Sequence, residues 1–232
     1  MAKQILIGTH NPSKIRSLTN RLSGFRDVTC LSPAQLGLEI DAAESGSTMV
    51  ENALLKALAY HRASGLPVLS ADSGLYFREF SMTDPRQPGP LIRRVGGKTL
   101  TDEEMLAYYG GLAREFGPLH ACYCTAFAVV NAAGHGETFF QDDPNDPVFF
   151  DTFGFLLCDT PHPRRNPGWP LDSLSMDPYF RRYWFDIQDQ EYDTPALAHR
   201  RSNELRFNEN INGFLGRFFD LTAKCISGII QV

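Results

Sequence analysis

The chain opens on a short apolar run at residues 4–8, Gln-Ile-Leu-Ile-Gly, which reads as a buried strand. Asn11-Pro12 follows, a capping residue with proline at the first helical position. Ile15, Leu18 and Leu22 then recur at helical spacing up to a stop at Gly24, and residues 27–31 read as a second strand. Thr48-Met-Val-Glu51 fits a capping box, in which the threonine caps the amide three residues on and the glutamate reaches back. It opens a run rich in helix formers that ends at Gly65. Residues 67–71 read as a short strand, with Asp72-Ser73-Gly74 as the turn at its end. Proline and glycine at 85, 88, 89, 90, 96 and 97 mark residues 78–100 as a long loop, a kind of segment that is often functional. Thr101-Asp-Glu-Glu104 is a second capping box, and its helix extends to about Phe116.

Strand character is clearest over residues 121–131, with a turn behind it at 132–136. Two more strands are expected within 137–158, around Asp142-Asp-Pro-Asn-Asp-Pro147, and 159–178 is proline-rich and irregular. From Ser202 the chain turns helical, with Leu205, Ile211, Phe214, Leu215, Phe218 and Leu221 on an apolar face. Helices alternate with strands in the first half and strands dominate the middle. That order predicts one α/β domain over residues 1–232 with a mixed sheet.

Composition narrows the function classes. The 232 residues are 43% hydrophobic and 21% charged, ordinary values for a soluble globular protein. No stretch approaches about 20 consecutive apolar residues, which argues against a membrane helix. The first apolar run is too short for a signal-peptide core, which points away from secretion. Twenty-two Lys and Arg against 27 Asp and Glu give a net charge of −5. A protein gripping nucleic acid by its phosphates is normally basic, so nucleic acid is not an expected partner. The cysteines number 5, an odd count without a Cys-x-x-Cys pair. They read as reduced, buried thiols of a cytoplasmic protein rather than a disulfide framework or a zinc site.

Three groups of residues could carry chemistry. Thr9-His-Asn11-Pro-Ser-Lys14 joins the first strand to the first helix, where free backbone amides and a nearby lysine favour an anion. The same residues also fit an ordinary capped turn with a solvated lysine. Glu44 and Asp72 form the second group. A carboxylate pair can hold Mg²⁺ while the ion keeps waters and takes substrate phosphate oxygens, and one carboxylate could activate water. A solvated Glu44 and a turn-capping Asp72 are the plain alternative. The third group is Ala198-His199-Arg200-Arg201 with Gly168-Trp169-Pro-Leu-Asp172, which offers a stacking face and hydrogen-bond donors, although His199 also fits a solvent-facing residue beside a basic helix start.

Taken in order, these segments resemble the inosine triphosphate pyrophosphatase family, which removes non-canonical purine nucleoside triphosphates. Thr9–Lys14 is similar to the family's opening T/S-G-N-x-x-K. Glu44-Ser-Gly-Ser-Thr-Met-Val-Glu-Asn-Ala-Leu-Leu-Lys56-Ala57 is similar to its E-x-G-x-T-F-x-E-N-A-x-x-K-A. Residues 65–75 are similar to its G-L-P-x-x-x-D-D-S-G-L, and Pro88-Gly89 through Arg94 and Gly97 to its P-G-x-x-S-A-R-x-x-G loop. The chain departs from the family pattern at His10, in place of glycine, and at Ala71, in place of the first Asp of Asp-Asp-Ser-Gly. It also departs at Pro170, within the segment matching G-F-G-Y-D, and at Thr194, in place of lysine.

The resemblance implies an elongated α/β domain with a mixed sheet flanked by helices, two lobes around a cleft, and a homodimer. It implies Mg²⁺-dependent hydrolysis of a nucleoside triphosphate to the monophosphate and pyrophosphate. Asp72 would activate water, and Glu44 with Asp72 would hold Mg²⁺. Thr9, Asn11, Lys14, Lys56 and Ser73 would contact phosphate. Trp169, Asp172, His199 and Arg200 would form the base pocket. The departures leave open the same chemistry on another base, or a nucleotide-binding homologue with impaired catalysis.

Overall fold

The computed structural model describes residues 2–40, 42 and 45–224. In chain order its strands and α-helices are β1 (Lys3–Ile7), α1 (Pro12–Leu22), β2 (Val28–Leu31), α2 (Met49–Ser64), β3 (Val68–Phe77), β4 (Arg94–Val95) and β5 (Lys98–Thr99), followed by α3 (Asp102–Phe116), β6 (Leu119–Val130), β7 (Gly136–Phe139), α4 (Pro147–Phe153), β8 (Phe155–Leu157), β9 (Ser175–Met176) and α5 (Ala198–Phe219). They fall into two compact units. One comprises Met1–Ala71, Phe127–Phe140 and Asn208–Val232, the other Asp72–Ala126 and Gln141–Phe207.

In the first unit β1 pairs in parallel with β2, Ile5 opposite Cys30, and with the start of β3, Ile7 opposite Leu69. Parallel neighbours need crossover connections, and α1 and α2 provide them. Ile5, Leu6, Ile7, Val68 and Leu69 are buried, as the short apolar runs predict. Both halves of the Thr48–Glu51 capping box form, and Gly65 ends α2 at φ 69. At the far end of α5, Lys3 Nζ donates to the carbonyls of Phe219 and Asp220, each at 2.7 Å, satisfying groups the helix cannot pair itself.

In the second unit β6 pairs antiparallel with β8, Ala121 opposite Phe155, and β8 with β9, Leu156 opposite Met176. Phe77, Tyr109, Leu119, Phe155, Leu171 and Leu174 belong to its core. Parallel and antiparallel pairings together give the mixed α/β architecture expected from element order.

The structure corrects several local expectations. The strand predicted to stop at Ala71 continues to Phe77, so Asp72-Ser73-Gly74 is strand, not turn. Leu75 and Phe77 beyond it are buried, and the 78–100 segment folds back to satisfy the backbone. Leu75 N–H donates to the Gly89 carbonyl at 2.9 Å and Phe77 N–H to Gln87 Oε1 at 2.7 Å. Burial of this kind overrides turn chemistry. That segment also contains the hairpin β4–β5, closed by Gly96 and Gly97 at φ 57 and 78. Between the two strands found within 136–157 lies the helix α4, capped by Asp146, whose carboxylate accepts from Val148 N–H at 2.9 Å. Helix α5 begins at Ala198 rather than Ser202; Leu205 on it is exposed and Leu221 lies past its end, while Ile211, Phe214 and Leu215 are buried. Cys122, Cys124 and Cys158 are buried free thiols and Cys30 is half-buried; Cys225 lies outside the described residues. Among the described residues no helix is long and apolar enough to cross a membrane.

Candidate functional site

The first unit carries the loop between β1 and α1. Gly8 starts it at a point with no room for a side chain: an added Cβ would sit 2.8 Å from Val68 Cγ1 and 3.1 Å from the Tyr60 ring. Thr9 is buried and its hydroxyl accepts from Asn11 N–H at 3.1 Å. Asn11 Oδ1 in turn accepts from Ser13 N–H at 2.9 Å and Lys14 N–H at 3.1 Å. The asparagine is therefore the helix cap, and it would meet an anion through its Nδ2 hydrogens rather than its oxygen. Lys14 Nζ reaches the Ala71 carbonyl at 3.4 Å, at the residue that precedes Asp72 in the chain. His10, the departure from the expected glycine, is exposed; its Nε2 accepts from Ile40 N–H at 3.3 Å.

Glu44 lies outside the described residues. The segment that follows it is tightly held. Gly46 N–H donates to Asn52 Oδ1 at 2.8 Å, and an added Cβ on Gly46 would sit 2.7 Å from Glu51 Cβ. Glu51 accepts from the Ser47 hydroxyl and backbone and from Thr48 N–H. These hydrogen bonds, the Ser47 hydroxyl's first, hold its carboxyl below the usual glutamate range. These contacts at Gly46, Ser47 and Thr48 fix the segment that leads into α2. Lys56 is buried on the α2 face that also carries Asn52 and Tyr60, one turn away on either side.

The second unit carries the acid and the aromatic loop. Asp72 and Ser73 are buried on β3. Ser73 Oγ lies 3.0 Å from Thr125 Oγ1, and Thr125 N–H donates to Asp142 at 2.6 Å. Sequence reading passed over Thr125 and Asp142, because Asp142-Asp-Pro looks like turn chemistry and Thr125 like one strand residue among many. The Trp169 and Tyr123 rings meet in a T-shaped pair, centroids 4.8 Å apart at 86°, and Tyr123 stacks on Phe155 at 5.5 Å. Asp172 Oδ2 accepts from Asn166 Nδ2 at 2.6 Å. Burial, then the charge of Asp172, pushes the Tyr123 hydroxyl well above its ordinary value, so it stays protonated. His199 is exposed on the first turn of α5. Arg200 is engaged within the unit. Its Nε donates to the Thr152 carbonyl at 2.8 Å and its Nη1 to the fully buried Asp177 at 2.9 Å. Each unit thus gathers its own share of the expected residues: Thr9, Asn11, Lys14 and Lys56 in one, Asp72, Ser73, Trp169, Asp172, His199 and Arg200 in the other.

Residues 5–144 match the model of the Ham1 family. The chain belongs to the Ham1 family. Among relatives of this Ham1-family chain, the dITP/XTP pyrophosphatase of Thermoanaerobacter sp. is 31% identical over 182 residues, 70% of this chain and 88% of the relative. That of Yersinia pseudotuberculosis is 36% identical over 104 residues, 45% of this chain and 50% of the relative, so the chain spans half the length of that protein. A solved HAM1 protein from Coxiella burnetii shares the fold of this Ham1 chain, with a TM-score of 0.62 at 22% identity over 94% of this chain and 100% of that one.

Proposed function

We propose that this Ham1-family chain hydrolyses non-canonical purine nucleoside triphosphates, ITP, dITP and XTP, between the α and β phosphates. The products are the monophosphate and pyrophosphate, and the role is nucleotide-pool sanitation. The observation that carries the reading is the β1–α1 loop, where Asn11 caps the start of α1 and, with Lys14, would meet an anion, on a chain whose family match begins at residue 5. The names of its relatives support the same reading.

Among the described residues no cluster of three or more His, Cys, Asp or Glu side chains could hold a metal by itself. Mg²⁺ does not need one, since it takes one or two carboxylates and fills its shell with water and phosphate oxygens. Asp72 supplies a hard oxygen donor of the kind Mg²⁺ takes, and it would hold the ion together with Glu44. When bound, the ion would offset charge on the phosphates. Asn11, Lys14, Lys56, Ser73 and the hydroxyl of Thr9 would orient the triphosphate. Asp72 would accept the proton of the attacking water, a task its carboxylate on β3 can perform. Positioning and charge neutralisation carry most of such a reaction, and no covalent intermediate is required.

Trp169 would stack on the base. Hypoxanthine and xanthine carry a keto oxygen at C6 and a hydrogen on N1. His199 and Arg200 would donate to the oxygen, and Asp172 would accept from the N1–H. Adenine reverses both polarities. The enzyme would act in the cytoplasm as a homodimer.

A pyrophosphate-release screen over ITP, dITP, XTP, GTP and ATP, with and without Mg²⁺, tests the proposal. Release from ITP that needs Mg²⁺ and exceeds release from ATP is expected. Binding without release would favour an impaired homologue, which the replacement of a family aspartate by Ala71 makes a specific alternative. Release from ATP as fast as from ITP would keep the chemistry and remove the base assignment.

A further inference from the structure

We infer that Asn166 is a positioning residue for base recognition, holding the carboxylate of Asp172 and the backbone of Trp169 in one arrangement. The inference rests on the proposed reading of Trp169 and Asp172 as base contacts and goes one residue beyond it.

The loop is fixed from several sides. The Asn166 carbonyl accepts from Trp169 N–H at 2.9 Å, and its side-chain amide donates to Asp172 Oδ2 at 2.6 Å. The Trp169 carbonyl accepts from Asp172 N–H at 3.2 Å. Gly168 makes the turn possible at φ 90, a conformation that side-chain-bearing residues rarely adopt. The Trp169 ring is then set against Tyr123, itself stacked on the buried Phe155. One asparagine therefore couples the ring that would stack on a base to the carboxylate that would read its edge.

The chemistry of that link favours one polarity. An ionised carboxylate only accepts hydrogen bonds, and an amide donor on one of its oxygens stabilises that form. A carboxylate so held accepts from a 6-oxopurine N1–H and repels the lone pair on adenine N1. The ligand class it selects is the 6-oxopurine nucleotides, guanine included.

The Trp169 and Asp172 bonds of Asn166 can be separated, because alanine keeps the backbone carbonyl that holds Trp169 and removes the side-chain amide. The test is a double-mutant cycle with N166A, D172N and the double variant. Steady-state kcat and KM are measured with ITP and ATP, and affinity for non-hydrolysable α,β-imido analogues of both is measured by calorimetry. A hydrogen bond to a charged group corresponds to about 10- to 100-fold in binding. N166A is expected to raise the KM for ITP by about tenfold or more with kcat unchanged, and to leave ATP unaffected. In the D172N background it should add nothing. Equal and additive effects of N166A in both backgrounds, or a fall in kcat for both nucleotides, would show a merely structural loop residue and overturn the inference. If D172N itself leaves the ITP-to-ATP ratio unchanged, the base-contact reading beneath it fails instead.

Discussion

Removing the Arg200 side chain should destabilise the protein far more than an exposed base-reading arginine would. The Arg200 side chain is 12% exposed and the Asp177 side chain 0%, with Nη1 and Oδ2 2.9 Å apart. Arg200→Ala would leave a buried carboxylate without its countercharge and the Thr152 carbonyl without the guanidinium bond. Breaking a buried pair from one side costs about 3–5 kcal/mol. Asp177 keeps hydrogen bonds from Tyr179 N–H at 2.8 Å and Phe180 N–H at 3.0 Å, so the lower end applies, about 3 kcal/mol. In a chain of this size that corresponds to a fall in Tm of about 6–12 °C. Circular-dichroism melts, with urea titrations at fixed pH, measure it. Asp177→Asn in the Arg200→Ala background should recover part of the loss, because the orphaned charge is gone. A melt within about 2 °C of the parent protein would refute the buried-pair argument. If the ITP KM rose at the same time, Arg200 would be a base contact alone.

Gly8→Ala would place a methyl 2.8 Å from Val68 Cγ1, and overpacking should lower stability by about 1–3 kcal/mol in a urea titration. Lys14→Ala should weaken ITP binding in calorimetry with little change in Tm; unchanged affinity would reduce Lys14 to a helix-surface residue. Asp72→Asn should lower turnover at least about 10²-fold with the fold retained, and near-normal turnover would place the base elsewhere. The Arg86 side chain bonds Asp84 and lowers its pKa to about 2, below the usual 3.8. Because the folded value is depressed, the associated stability is present above the unfolded pKa and is lost as pH falls through about 2. The pair is partly buried, with the Asp84 side chain 15% exposed and that of Arg86 41%. The check is an NMR titration of Asp84, whose pKa Arg86→Ala should raise toward the ordinary range while the bond from the residue 86 N–H remains.

The sequence by itself determined the elements whose signals are local. Asn11-Pro12, Thr48–Glu51 and Thr101–Glu104 mark helix starts because capping depends on residues within one turn, and all three appear as read. The parallel strands of the first unit were legible because residues buried on both faces form unbroken apolar runs. The residues matching the family pattern were legible one by one, including Thr9, Lys14 and Asp72. Tertiary structure alone decided whether Asp72-Ser73-Gly74 bends or stays extended. The answer depends on burial of Leu75 and Phe77 and on partners for their backbone at the Gly89 carbonyl and the Gln87 side chain, ten or more residues on. The same holds for Arg200, whose neighbours Thr152 and Asp177 come from elsewhere in the chain. Local hydrogen bonds and periodicity can be read from neighbouring residues. The pairing of buried charges and the ending of a strand depend on which distant segments exclude water from them.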